Sequence, residues 1–285
     1  MGKTLSPLRY PGGKSKIYHS IKNLIISNGF SNRVYVEPFA GGFGVGLELL
    51  INGIIHDAIL NDYDRHIYDF WYSVFYKTND LVDLIKRTEI TLDEREKQRE
   101  IYKDIESTRI QDGFATLFLN RVNYSGVLFG GPIGGNKQNS KYKLDCRFNK
   151  DDIIERIKRA AQFKEHIVLY QLDAVELLTK VLDNKKDRYF YNCDPPYVIK
   201  GKSLYETYFC ENDHIQFSKA INQLSEQAPF IITYDNCQLI RDIYKDYYIL
   251  EYDMYHSAHS RIEGKELVIT NIDGDQFVWD NTRKS

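Results

Sequence analysis

Six consecutive residues, Asn192-Cys193-Asp194-Pro195-Pro196-Tyr197, place a carboxylate, two prolines and a phenol directly after a β-favouring run that begins at Tyr189. A polar side chain and prolyl carbonyls at the end of a strand stand where α/β proteins bind ligands. Proline has no N–H, so the turn is stiff and its carbonyls stay available as acceptors. Such a turn suits capture of an amine. An exocyclic amino group offers two N–H donors, and a carboxylate with a fixed carbonyl accepts both, aligning the nitrogen with an electrophile. Tyr197 adds a flat face on which an extruded base stacks. Taken alone, a chance Pro-Pro turn explains the same letters.

A second cluster sits earlier in the chain. Val34-Tyr35-Val36 reads as a short strand, Glu37-Pro38-Phe39-Ala40-Gly41-Gly42-Phe43-Gly44 as a glycine turn, and residues 45–51 resume helical apolar spacing. Ala58-Ile59-Leu60 is the next strand and closes at Asn61-Asp62, completing a βαβ unit of the doubly wound type. A glycine turn between strand and helix lets the backbone approach a ligand closely. Gly13-Lys14-Ser15 is not a P-loop, because Leu8 stands where the first glycine is needed and no strand precedes it. The dinucleotide spacing is weak, since Gly42-x-Gly44 meets Leu47 rather than a third glycine. S-adenosylmethionine is the other candidate, with Asp62 placed to hold ribose hydroxyls. The unit by itself indicates a nucleoside cofactor, NAD or S-adenosylmethionine, and Asp62 as a plain helix cap is the bland alternative.

The remaining pattern supplies a frame for these two clusters. Residues 66–110 read as helical, with an aromatic stretch at 68–76 followed by a highly charged segment, 93–112. Residues 120–149 are rich in Gly, Asn and Lys and read as loop. Alternation then returns: helix 153–163, strand 167–170, helix 174–182, strand 189–192, helix 213–224 capped by Asn212 or Asp213, and strands 230–234 and 266–271. With 285 residues, 42% of them hydrophobic and 27% charged, and a mean hydropathy of -0.47, the chain is a folded globular protein large enough for one α/β core plus a module. Its apolar runs are too short to span a membrane, and its N-terminus lacks the apolar stretch of a secretory signal, so a cytoplasmic location is expected. Four cysteines with no CxxC pair argue against zinc or redox chemistry, and no metal is expected.

The net charge of -2 hides an uneven distribution. Residues 1–33 carry Lys3, Arg9, Lys14, Lys16, Lys22 and Arg33 without a single acid, and residues 137–164 hold nine basic side chains against four acidic ones. Both stretches are candidate polyanion contacts, and solvated faces are the plain alternative.

Six motifs in order resemble the DNA adenine-N6 methyltransferases of the Dam type. They are residues 8–14 (Leu8-Arg9-Tyr10-Pro11-Gly12-Gly13-Lys14), the Glu37 to Gly42 turn, Asn61-Asp62, Asp194-Pro195-Pro196-Tyr197, Asn212-Asp213-His214, and residues 260–271 with Gly264-Lys265-Glu266-Leu267. The resemblance implies an α/β, Rossmann-like, S-adenosylmethionine-dependent methyltransferase with an inserted, mainly helical target-recognition domain. The expected boundaries are residues 1–65 and 150–285 for the catalytic and cofactor-binding domain and 66–149 for the insertion. It implies Asp194, Pro195, Pro196 and Tyr197 as catalytic residues. Tyr10, Lys14, Asp62, Asp173 and Asp194 would contact the cofactor, and Glu37, Phe39, Ala40, Gly41 and Gly42 would cradle it. Asp at position 194 is typical of adenine-N6 enzymes, whereas Ser and Asn mark cytosine-N4 and protein-glutamine relatives. The insertion departs from GATC-specific relatives, which carry an Arg shortly after Tyr-Asn-Gly where this chain has Tyr124-Ser125-Gly126-Val127-Leu128-Phe129.

The expected reaction is methyl transfer to adenine N6 in double-stranded DNA, with base flipping and no covalent intermediate, by a monomer that belongs to the restriction-modification setting. Arg121, Asn123, Tyr124 and Ser125 are the candidate DNA-reading residues, Arg121 having a helix-end anchor as its alternative. Arg9, Lys137 and Lys141 are candidate DNA contacts from the basic stretches. A protein or RNA methyltransferase, a non-catalytic DNA-binding module and an NAD-dependent oxidoreductase are the competing readings.

Overall fold

A computed structural model of the chain describes residues 5–9, 17–182, 187–199, 209–224, 228–255 and 263–273. Tyr10, Lys14, Lys3, Lys16 and Ser260 lie outside the described residues. Seven strands form one mixed, largely parallel sheet: β1 (Val34–Glu37), β2 (Ala58–Asn61), β3 (Ile167–Tyr170), β4 (Tyr189–Cys193), β5 (Phe230–Asp235), β6 (Tyr248–Tyr255) and β7 (Glu263–Thr270), in the order β3-β2-β1-β4-β5-β7-β6. β1 runs parallel to both β2 and β4, and β4 parallel to β5, while β7 is antiparallel to β5 and β6. β5 is buried at all six positions, as a strand covered on both faces must be, and its sequence FIITYD is a near-continuous apolar run.

The chain divides into two compact units, one of residues 1–16, 40–48 and 62–171, the other of residues 17–39, 49–61 and 172–285. The second unit holds β1, β2, β4, β5, β7 and β6 with α1 (Tyr18–Ser27) and, later in the chain, a short helix at 174–181, α9 (Glu211–Leu224) and α10 (Gln238–Ile243). The helix α2 (Gly44–Ile51) follows the glycine turn.

The first unit is mainly helical, with α3 (Arg65–Tyr76), α4 (Thr78–Arg87), α5 (Leu92–Lys103), α6 (Arg109–Val122) and α7 (Lys150–Ala161). Its helix starts are written in the sequence: Asp64 accepts from His66 N–H, Thr91 from Glu94 N–H and Asn149 from Asp152 N–H, and Thr108 with Gln111 forms a capping box. The charged segment 93–112 runs through α5 and into the first turn of α6, which Thr108 opens. Trp71 and Phe70 of α3 are wholly buried, and Trp71 stacks on Phe75 at 5.5 Å. Tyr102 packs with Ala115 and Leu119 of α6.

The helix expected at 174–182 is one α turn, Ala174–Glu176, that continues as a π-type turn, Leu177–Val181; we call the pair α8. β6 was not legible as a strand. All four cysteines are free thiols. No helix among the described residues is long and apolar enough to cross a membrane, and no group of His, Cys, Asp and Glu among them could hold a metal ion.

Candidate active site

The glycine turn of the first unit is built by hydrogen bonds to its own backbone. Gly41 takes φ +45°, a left-handed conformation that glycine adopts without a Cβ penalty. Phe43 takes φ +45° as well and its ring meets Trp71 edge-on at 5.7 Å, so a strained residue is pinned by the core. Gly41 N–H donates to Asp62 Oδ2 at 2.9 Å, the Trp71 indole N–H donates to Gly41 O at 2.9 Å, and Ser6 Oγ donates to Gly42 O at 2.5 Å. Replacing Trp71 with phenylalanine keeps an aromatic ring but removes that donor together with the five-membered ring that carries it. The expected loss is about 1–2 kcal/mol, read as a fall of roughly 2–4 °C in Tm by calorimetry.

Asp62 is fixed from both sides, since its Oδ1 accepts from Asp64 N–H at 3.1 Å. Burial, and then the neighbouring Asp64 charge, push its carboxyl up to about 7, against which the two backbone N–H groups pull down. Each carboxylate oxygen has two lone pairs and, among the described residues, each accepts from one N–H, which leaves acceptor capacity there for two further O–H donors. A vicinal diol such as a ribose is the donor pair that matches. The neighbouring Asn61 has a structural role in the second unit: it donates to Pro38 O and Leu172 O and accepts from Leu172 N–H, each at 2.9 Å.

In the second unit the strand ends of β1 and β4 lie side by side in parallel. Ligands of open α/β sheets bind outside such carboxyl ends. Glu37 closes β1 and is buried, accepting from Tyr35 Oη at 2.7 Å, while Asn192 Nδ2 donates to the same Tyr35 Oη at 2.7 Å. Phe39 is held edge-on by Phe217 and Phe209 at 5.3 and 5.7 Å. Asp194 follows β4, half-buried, with Oδ1 accepting from Thr233 Oγ1 at 2.9 Å. Pro195 is buried and Pro196 half-buried. Tyr197 Oη donates to Glu266 Oε2 at 2.9 Å, and burial, then the charges of Asp194 and Glu266, hold that phenol well above its ordinary range. Asp173 is exposed and caps Ala174–Glu176, its Oδ1 accepting from Val175 and Glu176 N–H. Thr233, Asp235 and Glu266 were not singled out as site residues by sequence; only their place at a strand end or in a signature could have marked them.

The loop after α6 belongs to the first unit. Asn120 clasps the Arg9 backbone, accepting from its N–H at 2.7 Å and donating to its carbonyl at 2.8 Å. Gly126, at φ +80°, is required there, because a Cβ would come within 2.5 Å of Arg9 O. Arg121 is buried and donates to Pro7 O and Arg147 O; burial, and then Arg156 and Arg9, bring its guanidinium down to about 9. Asn123 is also buried, accepting from Arg95 Nε at 2.8 Å and donating to Val127 O and Leu128 O. Both polar side chains hold the loop from inside. Tyr124 (72% exposed), Ser125 at φ +57°, Lys137 and Lys141 are exposed, and half-buried Arg9 donates to Asn123 O.

No curated protein matches the sequence significantly. A family model does: the D12 class N6 adenine-specific DNA methyltransferase, over residues 10–257. That match takes in the glycine turn, Asp62, the Asp194-Pro195-Pro196-Tyr197 turn and the Asn120 to Ser125 loop, and the chain belongs to the family of D12 class N6 adenine-specific DNA methyltransferases, enzymes that methylate adenine in DNA.

Proposed function

We propose that the enzyme methylates N6 of adenine at a specific site in double-stranded DNA, drawing on S-adenosylmethionine and acting on a base flipped out of the duplex. The observation that carries this reading is Asp194 at the carboxyl end of β4, its carboxylate tethered through one oxygen by Thr233. The Asp194 carboxylate and the Pro195 carbonyl would accept the two N–H groups of the flipped amine, holding its nitrogen in line for displacement. Negative charge beside the nitrogen offsets the positive charge that grows there as the bond forms, so the contribution is positional and electrostatic. The Tyr197 ring, held by Glu266 through its hydroxyl, offers the stacking face.

S-adenosylmethionine, when bound, supplies an electrophilic methyl group on a sulfonium. Asp62 would accept its ribose hydroxyls and the Ala40-Gly41-Gly42 backbone would let it approach closely, with Glu37, Phe39 and Asp173 as further contacts. Tyr10 and Lys14 are carried by the motif alone. The mainly helical stretch 66–149 would recognise the target, and we place the protein in the cytoplasm as a monomer.

Transfer of labelled methyl from S-adenosylmethionine to duplex DNA, RNA and peptide substrates tests the reading. Label in N6-methyladenine of the duplex supports it; label in RNA or peptide alone removes it.

The recognition loop gives a separate expectation. Tyr124→Ala should leave Tm unchanged and relax base preference at one position, at a cost of roughly 1–3 kcal/mol for that base pair. Asn123→Ala strands Arg95 Nε and should destabilise the loop by about 1–3 kcal/mol, lowering activity evenly over all sequences. Lys141→Ala should weaken all sites alike and lower the salt slope by about one unit. Competitive methylation of a randomised duplex library, with thermal melts alongside, distinguishes the three.

A further inference from the structure

The antiparallel edge of the sheet carries an arrangement that the reaction alone does not explain. Asp235 closes β5 and stands directly opposite Glu266 of β7, which in turn stands opposite Tyr252 of β6. Opposed positions share one face of a sheet, and Thr233, two residues before Asp235, points to the same side. Asp235 and Glu266 are both buried. Two carboxylates in direct opposition repel, and burying them is costly unless hydrogen-bond donors compensate.

The donors come largely from the chain after Asp194. Asp235 Oδ1 accepts from Val198 N–H at 3.0 Å and Oδ2 from Ile199 N–H at 2.6 Å. Glu266 Oε2 accepts from Tyr197 Oη at 2.9 Å and from Tyr252 Oη at 2.6 Å. The carboxylate pair and the loop thus hold each other, and the loop cannot shift without leaving two buried acids short of donors. Thr233 adds the contact nearest the chemistry. Its hydroxyl lies 2.9 Å from Asp194 Oδ1 and 3.5 Å from Cys193 O, and the shorter, charged acceptor takes the proton.

We propose that Thr233 is a positioning residue for methyl transfer: its hydroxyl sets the rotation of the Asp194 carboxylate on a loop that Asp235 and Glu266 clamp to the same sheet face. The proposal rests on the reading of Asp194 as the amine acceptor. Thr233 is wholly inside the protein and needs no contact with cofactor or DNA to act. Valine has the shape of threonine without the hydroxyl and suits a strand, so Thr233→Val isolates the hydrogen bond.

The experiment measures single-turnover methyl transfer, cofactor and duplex affinities, and Tm for Thr233→Val, Thr233→Ser and Asp194→Ala. We expect Thr233→Val to slow transfer by about 10–10²-fold, as a misaligned reacting group does, with both affinities and Tm near those of the wild type. Thr233→Ser restores the hydroxyl and should restore the rate. The double variant Thr233→Val/Asp194→Ala should be no slower than Asp194→Ala, since the proposed effect of the hydroxyl on transfer is exerted through that carboxylate. If Asp194→Ala transfers at the wild-type rate, the underlying reading of Asp194 fails. If Asp194→Ala collapses while Thr233→Val transfers normally, or loses Tm and affinities together with rate, the positioning role is overturned and the reading of Asp194 stands.

Discussion

Asp194→Ala is expected to slow methyl transfer by about 10²–10³-fold, the effect of removing one preorganised group at a reacting centre. An amino group conjugated to an adenine ring is a poor nucleophile, and its lone pair must be turned towards the electrophile. The side chain that can do so stands at the end of β4, one oxygen held by Thr233, with the buried Pro195 next in the chain. Affinity for duplex DNA should stay near that of the wild type, because the carboxylate meets the flipped amine and not the phosphates. Asp194→Asn is the sharper variant: it preserves volume, but its amide nitrogen presents donors to a donor and carries no charge to offset that on the nitrogen. Rapid-quench transfer beside anisotropy titration separates the two quantities. Wild-type turnover in both variants, or loss of DNA binding in step with turnover, would remove Asp194 from the chemistry.

The second large effect concerns Asp62. Ribose hydroxyls donate to an ionised carboxylate, while burial and Asp64 hold this one at about 7 in the free protein. Below that pH the proton occupies the acceptor, so affinity for S-adenosylmethionine should rise with pH from 6 to 8 and level off above, with a proton released on binding. The sign for stability is opposite. Because the folded pKa lies above the ordinary carboxylate value of 3.8, the folded state keeps a proton that the unfolded chain has released. The group's contribution therefore falls as pH rises from 3.8 to about 7. Asp62→Asn should weaken cofactor binding by about 10–10²-fold, the worth of hydrogen bonds to a charged acceptor, and flatten the pH profile. Calorimetric titration in buffers of different ionisation enthalpy measures both. A pH-independent affinity in the wild type, or equal affinity in Asp62→Asn, would show that Asp62 does not hold the ribose.

Much of this was legible in the sequence because local chemistry and tertiary role coincide. The strands at 34–36, 58–60, 167–170 and 230–234 are β-branched or aromatic runs closed by a polar residue, and all are strands. β6 escaped because it is an edge strand of mixed residues, with Tyr248 and Leu250 exposed and Tyr252 buried, and no turn signal sets it off from α10. The helix at 174–182 has helical spacing, yet gives way to a π-type turn at Leu177, a change that apolar periodicity does not register. Around the recognition loop the obstacle was burial. Arginine and asparagine in a glycine-flanked segment are ordinarily exposed, and only the three-dimensional partners, Pro7 and Arg147 for Arg121, Arg95 for Asn123, reveal that they are interior. Thr233 and Asp235 were hidden for a related reason: they look like the end of a buried strand, and their meaning comes from the loop they touch.

Mapping methylated bases at single-base resolution in the DNA of a host that expresses this protein tests the central claim most directly. The expected result is N6-methyladenine at one recurring short motif, lost when Asp194→Ala is expressed in its place. Unmodified adenines throughout, or methyl groups found on cytosine instead, would contradict adenine-N6 transfer at Asp194-Pro195-Pro196-Tyr197.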